Sequence, residues 1–198
     1  MSKKRRSYAV IFDLEFTAWE GSRARGWSLP DEKREVIQIG AVKLDVADLQ
    51  CVDEFEILVR PRFNAVLSDY ITALTGITNE AMSLRGTDFV TAYRAFLEFA
   101  DEAPLWAFGR DDLIFKENIR LYGWEGVLSI PPYSNVIPWF AEGGNDLTGK
   151  HASDVAEAAG TVFEGRRHDA LADARGVAAG MRKAIADGAA NPFLEDRR

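Results

Sequence analysis

Apolar and polar positions fall into two regimes along this chain. Tyr8–Phe16 (YAVIFDLEF) is a nearly unbroken apolar, β-branched run, the pattern of a buried strand. Glu35–Asp45 (EVIQIGAVKLD) reads as a second strand, and Gln50–Arg60 (QCVDEFEILVR) alternates well enough to be a third. Short links between such strands favour antiparallel pairing. Glu20–Arg34, with its Gly, Ser and Pro, is a long loop. After Pro61 the spacing turns helical, at Ser68–Leu74, Asn79–Ser83 and Phe89–Ala100. Leu105–Gly109 (LWAFG) is a short strand, and Asp111–Tyr122 is a helix with Ile114, Phe115, Leu121 and Tyr122 on its apolar side. Gly123–Gly149 holds three prolines and reads mostly as loop, with a short strand at Asn135–Trp139. Lys150–Ala159 and Asp169–Ile185 are Ala-rich helices. The order predicts one α/β domain on a mixed sheet, with an antiparallel meander first and parallel strands afterwards.

The chain has 198 residues, of which 47% are hydrophobic and 28% charged, so disorder and collagen-like classes are excluded. A single cysteine, Cys51, rules out a disulfide framework and any cysteine-rich zinc site, and it fits a reducing compartment. Its place on a strand, with no histidine nearby in sequence, predicts a buried role rather than a nucleophile. MSKKRR is followed by too short an apolar run for a secretory signal, and no window approaches a membrane span. The expectation is a cytoplasmic protein with a basic tail at 1–7, a domain at 8–187 and a C-terminal tail at 188–198. The basic tail reads as a solvated terminus, or else as an arm that touches nucleic acid.

Three acidic features carry candidate chemistry. Asp13 and Glu15 are two apart on a strand, so they share one face within an apolar run. Side by side there, they need a positive partner, and a hard divalent cation with oxygen ligands would supply it. A strand end emerging into solvent would leave the same trace. Downstream, in GRRHDALADARGVAAGM, Asp169 is a helix N-cap and His168 lies on the loop before it. Asp173 sits beside the Ala170, Ala174, Val177 and Met181 stripe, where a carboxylate is poorly solvated. The third feature is Gly109-Arg110-Asp111-Asp112, where a strand hands over to a helix. Asp111 heads the apolar side of that helix and Asp112 turns outwards, so Asp111 is the better candidate, with capping the alternative for both. Two divalent ions held by such carboxylates form a clamp for phosphoryl displacement, one activating water and the other stabilising the leaving oxygen. His168, with an unperturbed pKa of about 6.5, suits a general base near neutrality.

FDLEFT, GRDD and HDALAD together resemble the three exonuclease motifs of the DnaQ-like, DEDDh-type 3′-to-5′ exonucleases. The spacing of His168 and Asp173 is similar to the histidine variant of the third motif. EVIQIGAVKLD and LSDYITALTGITNEAM resemble the Eri-like exoribonuclease branch, and the likeness runs from about Tyr8 to Met181. It implies an α/β, ribonuclease H-like fold with a five-stranded mixed sheet flanked by helices. It also implies two Mg²⁺ or Mn²⁺ ions and release of nucleoside 5′-monophosphates. Asp13, Glu15, Asp111 and Asp173 would hold the metals, and His168 would be the general base. The backbone at Phe16–Thr17 and the Leu74-Thr75-Gly76 turn would embrace the terminal nucleotide. Many relatives carry Trp or Tyr before the second-motif aspartate, whereas this chain has Arg110 and then two aspartates.

Single strands are gripped by aromatic stacking along a positive groove. Trp27 among Arg23, Arg25, Lys33 and Arg34 offers this, as do Trp19, the pair Arg60 and Arg62, and the pair Arg166 and Arg167. A solvated loop with Trp27 packed on the core is the alternative. RNA is favoured over DNA only through the branch resemblance. A catalytically silent single-strand-binding module and an endonuclease on a related fold are the competing readings. No phosphate-binding G-x-x-x-x-G-K-[ST] loop or G-x-S-x-G elbow is present, and His151 reads as structural or exposed. The net charge of −7 by itself opposes a nucleic-acid partner, but two divalent ions would cancel four of those charges. The remainder argues for weak, end-directed, distributive contact.

Overall fold

The structure is a computed structural model and describes residues 7–194; the basic N-terminal segment 1–6 and the last four residues lie outside the described residues. Five strands form one mixed sheet in the order β3-β2-β1-β4-β5. β1 (Tyr8–Phe16), β2 (Val36–Asp45) and β3 (Cys51–Leu58) are the antiparallel meander. β4 (Leu105–Ala107) runs parallel to β1, and β5 (Tyr133–Asn135) parallel to β4. The ribonuclease H-like, five-stranded mixed α/β sheet is therefore present.

β1 is central and covered on both faces, which is why it reads as an unbroken apolar run. On one face Val10, Phe12 and Leu14 pack against α3 (Phe89–Ala100) and α4 (Asp111–Leu121). Phe12 lies 5.3 Å from Phe96 and 5.7 Å from Phe115 between ring centroids. On the other face Ile11, Val42 and Leu44 meet α7 (Ala170–Ala186) and α5 (Val136–Glu142). The even–odd alternation of β1 puts Asp13 and Glu15 on the α7 face, with Ile11. A third cluster joins Ile37 and Leu58 to α1 (Asp69–Thr75) and α2 (Asn79–Arg85).

Several segments depart from the sequence expectation. The strand near residue 135 ends at Asn135 instead of beginning there, and Val136–Glu142 is helix. Asn135 caps it, its Oδ1 accepting from the Ile137 N–H at 3.0 Å. Pro138 falls in the first turn, where a missing N–H costs nothing. Lys150–Ala159 is a short 3-10 turn at Ala152–Asp154 followed by α6 (Val155–Ala158), not one helix. Cys51 is exposed, not buried. It opens β3, an edge strand whose first four residues are all exposed. Past α7 the chain packs back onto the body. Asn191 Nδ2 donates to Val46 O at 3.1 Å, and Phe193 meets Trp106 edge-on at 5.3 Å. Among the described residues no helix is long and apolar enough to cross a membrane.

The start of α7 lies on β2 with backbone almost touching backbone. A methyl group at Gly40 would overlap the main chain of Ala170 and Leu171. Gly40→Ala should therefore force α7 off the sheet and cost about 1–3 kcal/mol, as overpacking does. Equilibrium urea unfolding measures it, and an unchanged midpoint would contradict the close packing.

Candidate active site

Two carboxylates come from β1, where Asp13 pairs with Gly40 and Glu15 with Gln38 across the β2 ladder. Gln38 is buried and pins the opposing helix. Its Oε1 accepts from the Ala170 N–H at 3.0 Å, and its Nε2 reaches Asp169 Oδ2 at 3.3 Å and Glu56 Oε1 at 3.0 Å. Asp169 is the N-cap, its Oδ1 accepting from the Ala172 N–H at 2.9 Å. One turn on, Asp173 faces β1 from α7. The fourth carboxylate, Asp111, opens α4 just beyond β4. The turn before it is fixed by Asn135 Oδ1, which accepts from the Gly109 N–H at 3.1 Å, and by the Tyr133 hydroxyl, which donates to Gly109 O. α4 has no side-chain cap. Asp112 instead turns out to Arg110, with contacts of 2.8 and 2.9 Å, so Asp111 is the member of that pair that faces inwards.

All four carboxylates are buried. Asp111 Oδ2 and Asp173 Oδ1 are out of solvent and have no hydrogen-bond partner. Burial pushes Asp13 well up from the ordinary carboxylate range, and Asp111, Glu15 and Asp173 push it further. Glu15 is raised well above its usual value by burial and then by Asp173 and Asp111. Asp111 is raised to about 8, by burial and then by Asp112. Asp173 is raised to about 7 by burial, with the nearby His168 N–H pulling the other way. His168 is lowered, first by burial and then by the charges of His151 and Arg167.

One ligand atom from each of Glu15, His168 and Asp173 lie within 4.8 Å of one another. Unpartnered buried carboxylate oxygens with like charges around them fit hard divalent cations. The carboxylate oxygens therefore suit the expected metal ions, with the His168 imidazole close beside them.

These groups open into a cleft of about 530 Å³, lined by Asp13, Glu15, Asp111, His168 and Asp173 among others. His168 has a backbone φ of 60°, in the left-handed region uncommon for a non-glycine residue, on the turn that brings it there. Phe16 and Leu74 line the cleft as well. Thr17, Thr75 and Gly76 are not among its lining residues. The Thr17 hydroxyl donates to Lys33 O and accepts from the Glu35 N–H. The Thr75 hydroxyl donates to Ile71 O at 2.8 Å, and Gly76 is the left-handed C-cap of α1. Arg166 holds that turn by donating to Ala73 O at 2.8 Å and Leu74 O at 3.2 Å. Trp27 lines the cleft, 5.7 Å from Phe16 between centroids, and donates from Nε1 to Thr17 O at 3.2 Å.

Sequence reasoning did not assign Tyr70, Lys150 or His151 to the cleft, yet all three line it. His151 is exposed and stands 5.7 Å from His168 between ring centroids, with Arg23 Nη1 3.4 Å from its Nδ1. Nothing in the local sequence of a 3-10 turn marks it. Gln38 was missed too, although a lone amide inside an apolar strand was its signal.

An exonuclease family model, RNase_T, matches residues 10–180. The chain is 39% identical over 70 residues to 3′-5′ exonuclease eri1 of Schizosaccharomyces pombe, covering 35% of this chain and 22% of that protein. It is 35% identical over 80 residues to 3′-5′ exoribonuclease 1 of Homo sapiens, covering 40% of this chain and 21% of that protein. The matched stretches thus span about a fifth of those curated relatives. Among solved structures, the nuclease domain of 3′hExo, a DEDDh family member, bound to rAMP, superposes with a TM-score of 0.80 at 22% identity. That match covers 98% of this chain and 100% of the other, and it shows a shared fold.

The raised carboxyls make a stability prediction. Asp111 and Asp173 keep protons in the folded, metal-free state up to about pH 8 and 7, whereas in the unfolded chain they ionise near 3.8. Between those limits the folded state binds more protons, so the cluster's contribution to stability falls as pH rises. Melting temperatures of EDTA-treated protein near pH 5 and pH 8 should show a larger loss than in Asp111→Asn, and Mn²⁺ should restore most of it at the higher pH. Parallel pH profiles for the two proteins would contradict this.

Proposed function

This chain belongs to the exonuclease family RNase_T, and from that premise we propose that it hydrolyses single-stranded nucleic acid, RNA foremost, from the 3′ end to nucleoside 5′-monophosphates. The observation that carries this is the convergence of four buried carboxylates and one histidine, from three distant parts of the chain, on one open cleft. We assign Asp13, Glu15, Asp111 and Asp173 to two divalent ions, Mg²⁺ or Mn²⁺. Bound there, such ions would activate water and stabilise the leaving oxygen.

The chain's own groups supply the rest. Burial and the neighbouring His151 and Arg167 favour a neutral His168 imidazole, able to accept the proton of the attacking water. Phe16 and Leu74 offer apolar walls to the terminal base, and Trp27 backs Phe16. The Thr17, Thr75 and Gly76 backbone acts through these neighbours: Thr17 O anchors Trp27, and Thr75 and Gly76 close the turn that presents Leu74. Arg23 and Lys150 give the cleft a cationic side that suits a phosphate, and His151 adds a ring nitrogen beside them. RNA is put first because the relatives are named exoribonucleases. The active unit is assigned to residues 8–187, and the lone cysteine is the reason to place it in the reducing cytoplasm.

With Mn²⁺ or Mg²⁺, a 5′-labelled single strand should shorten progressively, and matched RNA and DNA arms should show RNA degraded faster. Asp13→Ala should abolish the ladder, and His168→Ala should lower kcat by roughly 10²–10⁴ while leaving metal binding in place. Full activity in Asp13→Ala, or cleavage of a circular strand, would overturn the assignment.

A further inference from the structure

A second surface carries groups that the cleft does not use. Glu35 is fully buried, and its carboxylate accepts the backbone N–H groups of Arg62 at 2.6 Å, Phe63 at 2.9 Å and Asn64 at 2.6 Å. It also accepts the Tyr122 hydroxyl at 2.6 Å. One carboxylate thus locks the turn after β3 to the end of α4. Beside that knot lies a groove of about 480 Å³, lined in part by Arg60, Arg62, Arg94, Phe89, Tyr122 and Trp124. Phe89 and Tyr122 stack at 5.2 Å, and Phe63, 54% exposed, adds a ring 6.1 Å from Tyr122. The Arg94 guanidinium lies 5.5 Å from the Trp124 ring centroid.

The charge of this groove stands out in a chain of net −7. Several arginines elsewhere are neutralised, as in Arg25–Glu32, Arg34–Glu117 and Arg175–Glu54, while others, such as Arg166 and Arg182, donate to backbone carbonyls. Among the described residues none of Arg60, Arg62 and Arg94 is paired with a carboxylate. Arg60 donates to neutral carbonyls, Ser83 O at 3.2 Å and Gly86 O at 2.6 Å. One acid, Asp88, also lines the groove, but it is engaged by the N–H and hydroxyl of Thr91. Three guanidinium groups that no carboxylate neutralises, beside a row of ring faces, are complementary to phosphates and stacked bases. An acidic peptide would use the charges but leave the rings without a role.

Placement favours the substrate strand itself. Arg60 follows β3, whose Leu58 pairs with Gln38, and Gln38 pairs with Glu15, so groove and cleft lie at the same end of the sheet. The groove is on the α3–α4 face and the carboxylates on the α7 face, and the substrate strand would pass round that end. α4 starts in the cleft at Asp111 and leads to Tyr122 in the groove, a span of about 16 Å for its helical rise. We infer that this groove binds the 5′-ward stretch of the same single RNA strand whose 3′ end enters the cleft, an inference that rests on the nuclease reading above. Short substrates end before the groove, and longer ones gain affinity from it.

Arg94→Glu and Trp124→Ser test this with two readouts. The first is binding of a fluorescent single-stranded RNA of roughly 16 nucleotides, by anisotropy in EDTA, where hydrolysis plays no part. The second is kcat/KM for a trinucleotide in Mn²⁺. Each variant should weaken binding of the long strand by about tenfold and leave trinucleotide hydrolysis within about twofold of the parent. Unchanged affinity for the long strand, including the case in which the groove serves a protein, overturns the inference. So does an equal loss on both substrates. If the parent binds the long strand through these residues yet hydrolyses nothing, the groove stands and the nuclease reading falls.

Discussion

Four carboxylates held out of water, none ion-paired to a side chain among the described residues, are the constraint on which the rest of this molecule depends. Burial, and then Asp112, raise Asp111 to about 8, so its charged form is strongly disfavoured in the metal-free fold. A domain has only about 5–15 kcal/mol of stability in total. The cluster therefore exists either with protons on it or with cations in it. Unpartnered oxygens on Asp111 and Asp173 are the trace of that unsatisfied demand.

The surrounding fold is arranged to hold this unfavourable set together. Apolar packing on both faces of β1 fixes the strand that carries Asp13 and Glu15. Gly40 lets the first turn of α7 come down onto the sheet, and Gln38 hydrogen-bonds both its cap and its first residue. Asp173 is thereby set opposite β1, with its Oδ1 left without a hydrogen-bond partner. Asp111 is delivered by a different device, a left-handed Gly109 turn clamped by Tyr133 and Asn135.

Much of this was legible in the chain, for reasons that differ by element. Period-two alternation placed Asp13 and Glu15 on one face, and helical rotation separated Asp111 from Asp112. Asp169 as a cap and the small-residue stripe of α7 placed Asp173. What escaped was tertiary. His151 and Tyr70 reach the cleft through the folding-back of segments far apart in sequence, and no local pattern encodes that. The helix at Val136–Glu142 was hidden because Pro138 breaks helices everywhere except in a first turn, which Asn135 creates. Cys51 followed strand logic but sits on an edge, and edges are set by topology, not by composition.

The central claim is that divalent cations replace protons on these carboxylates. Calorimetric titration of Mn²⁺ into metal-free protein at pH 7, in two buffers of different ionisation enthalpy, counts the protons released. With Asp111 raised to about 8 and Asp13 and Glu15 also raised, binding should expel on the order of one proton or more per chain. The release should shrink in Asp111→Asn. Tight binding with no proton release, or no binding at all, would contradict the account.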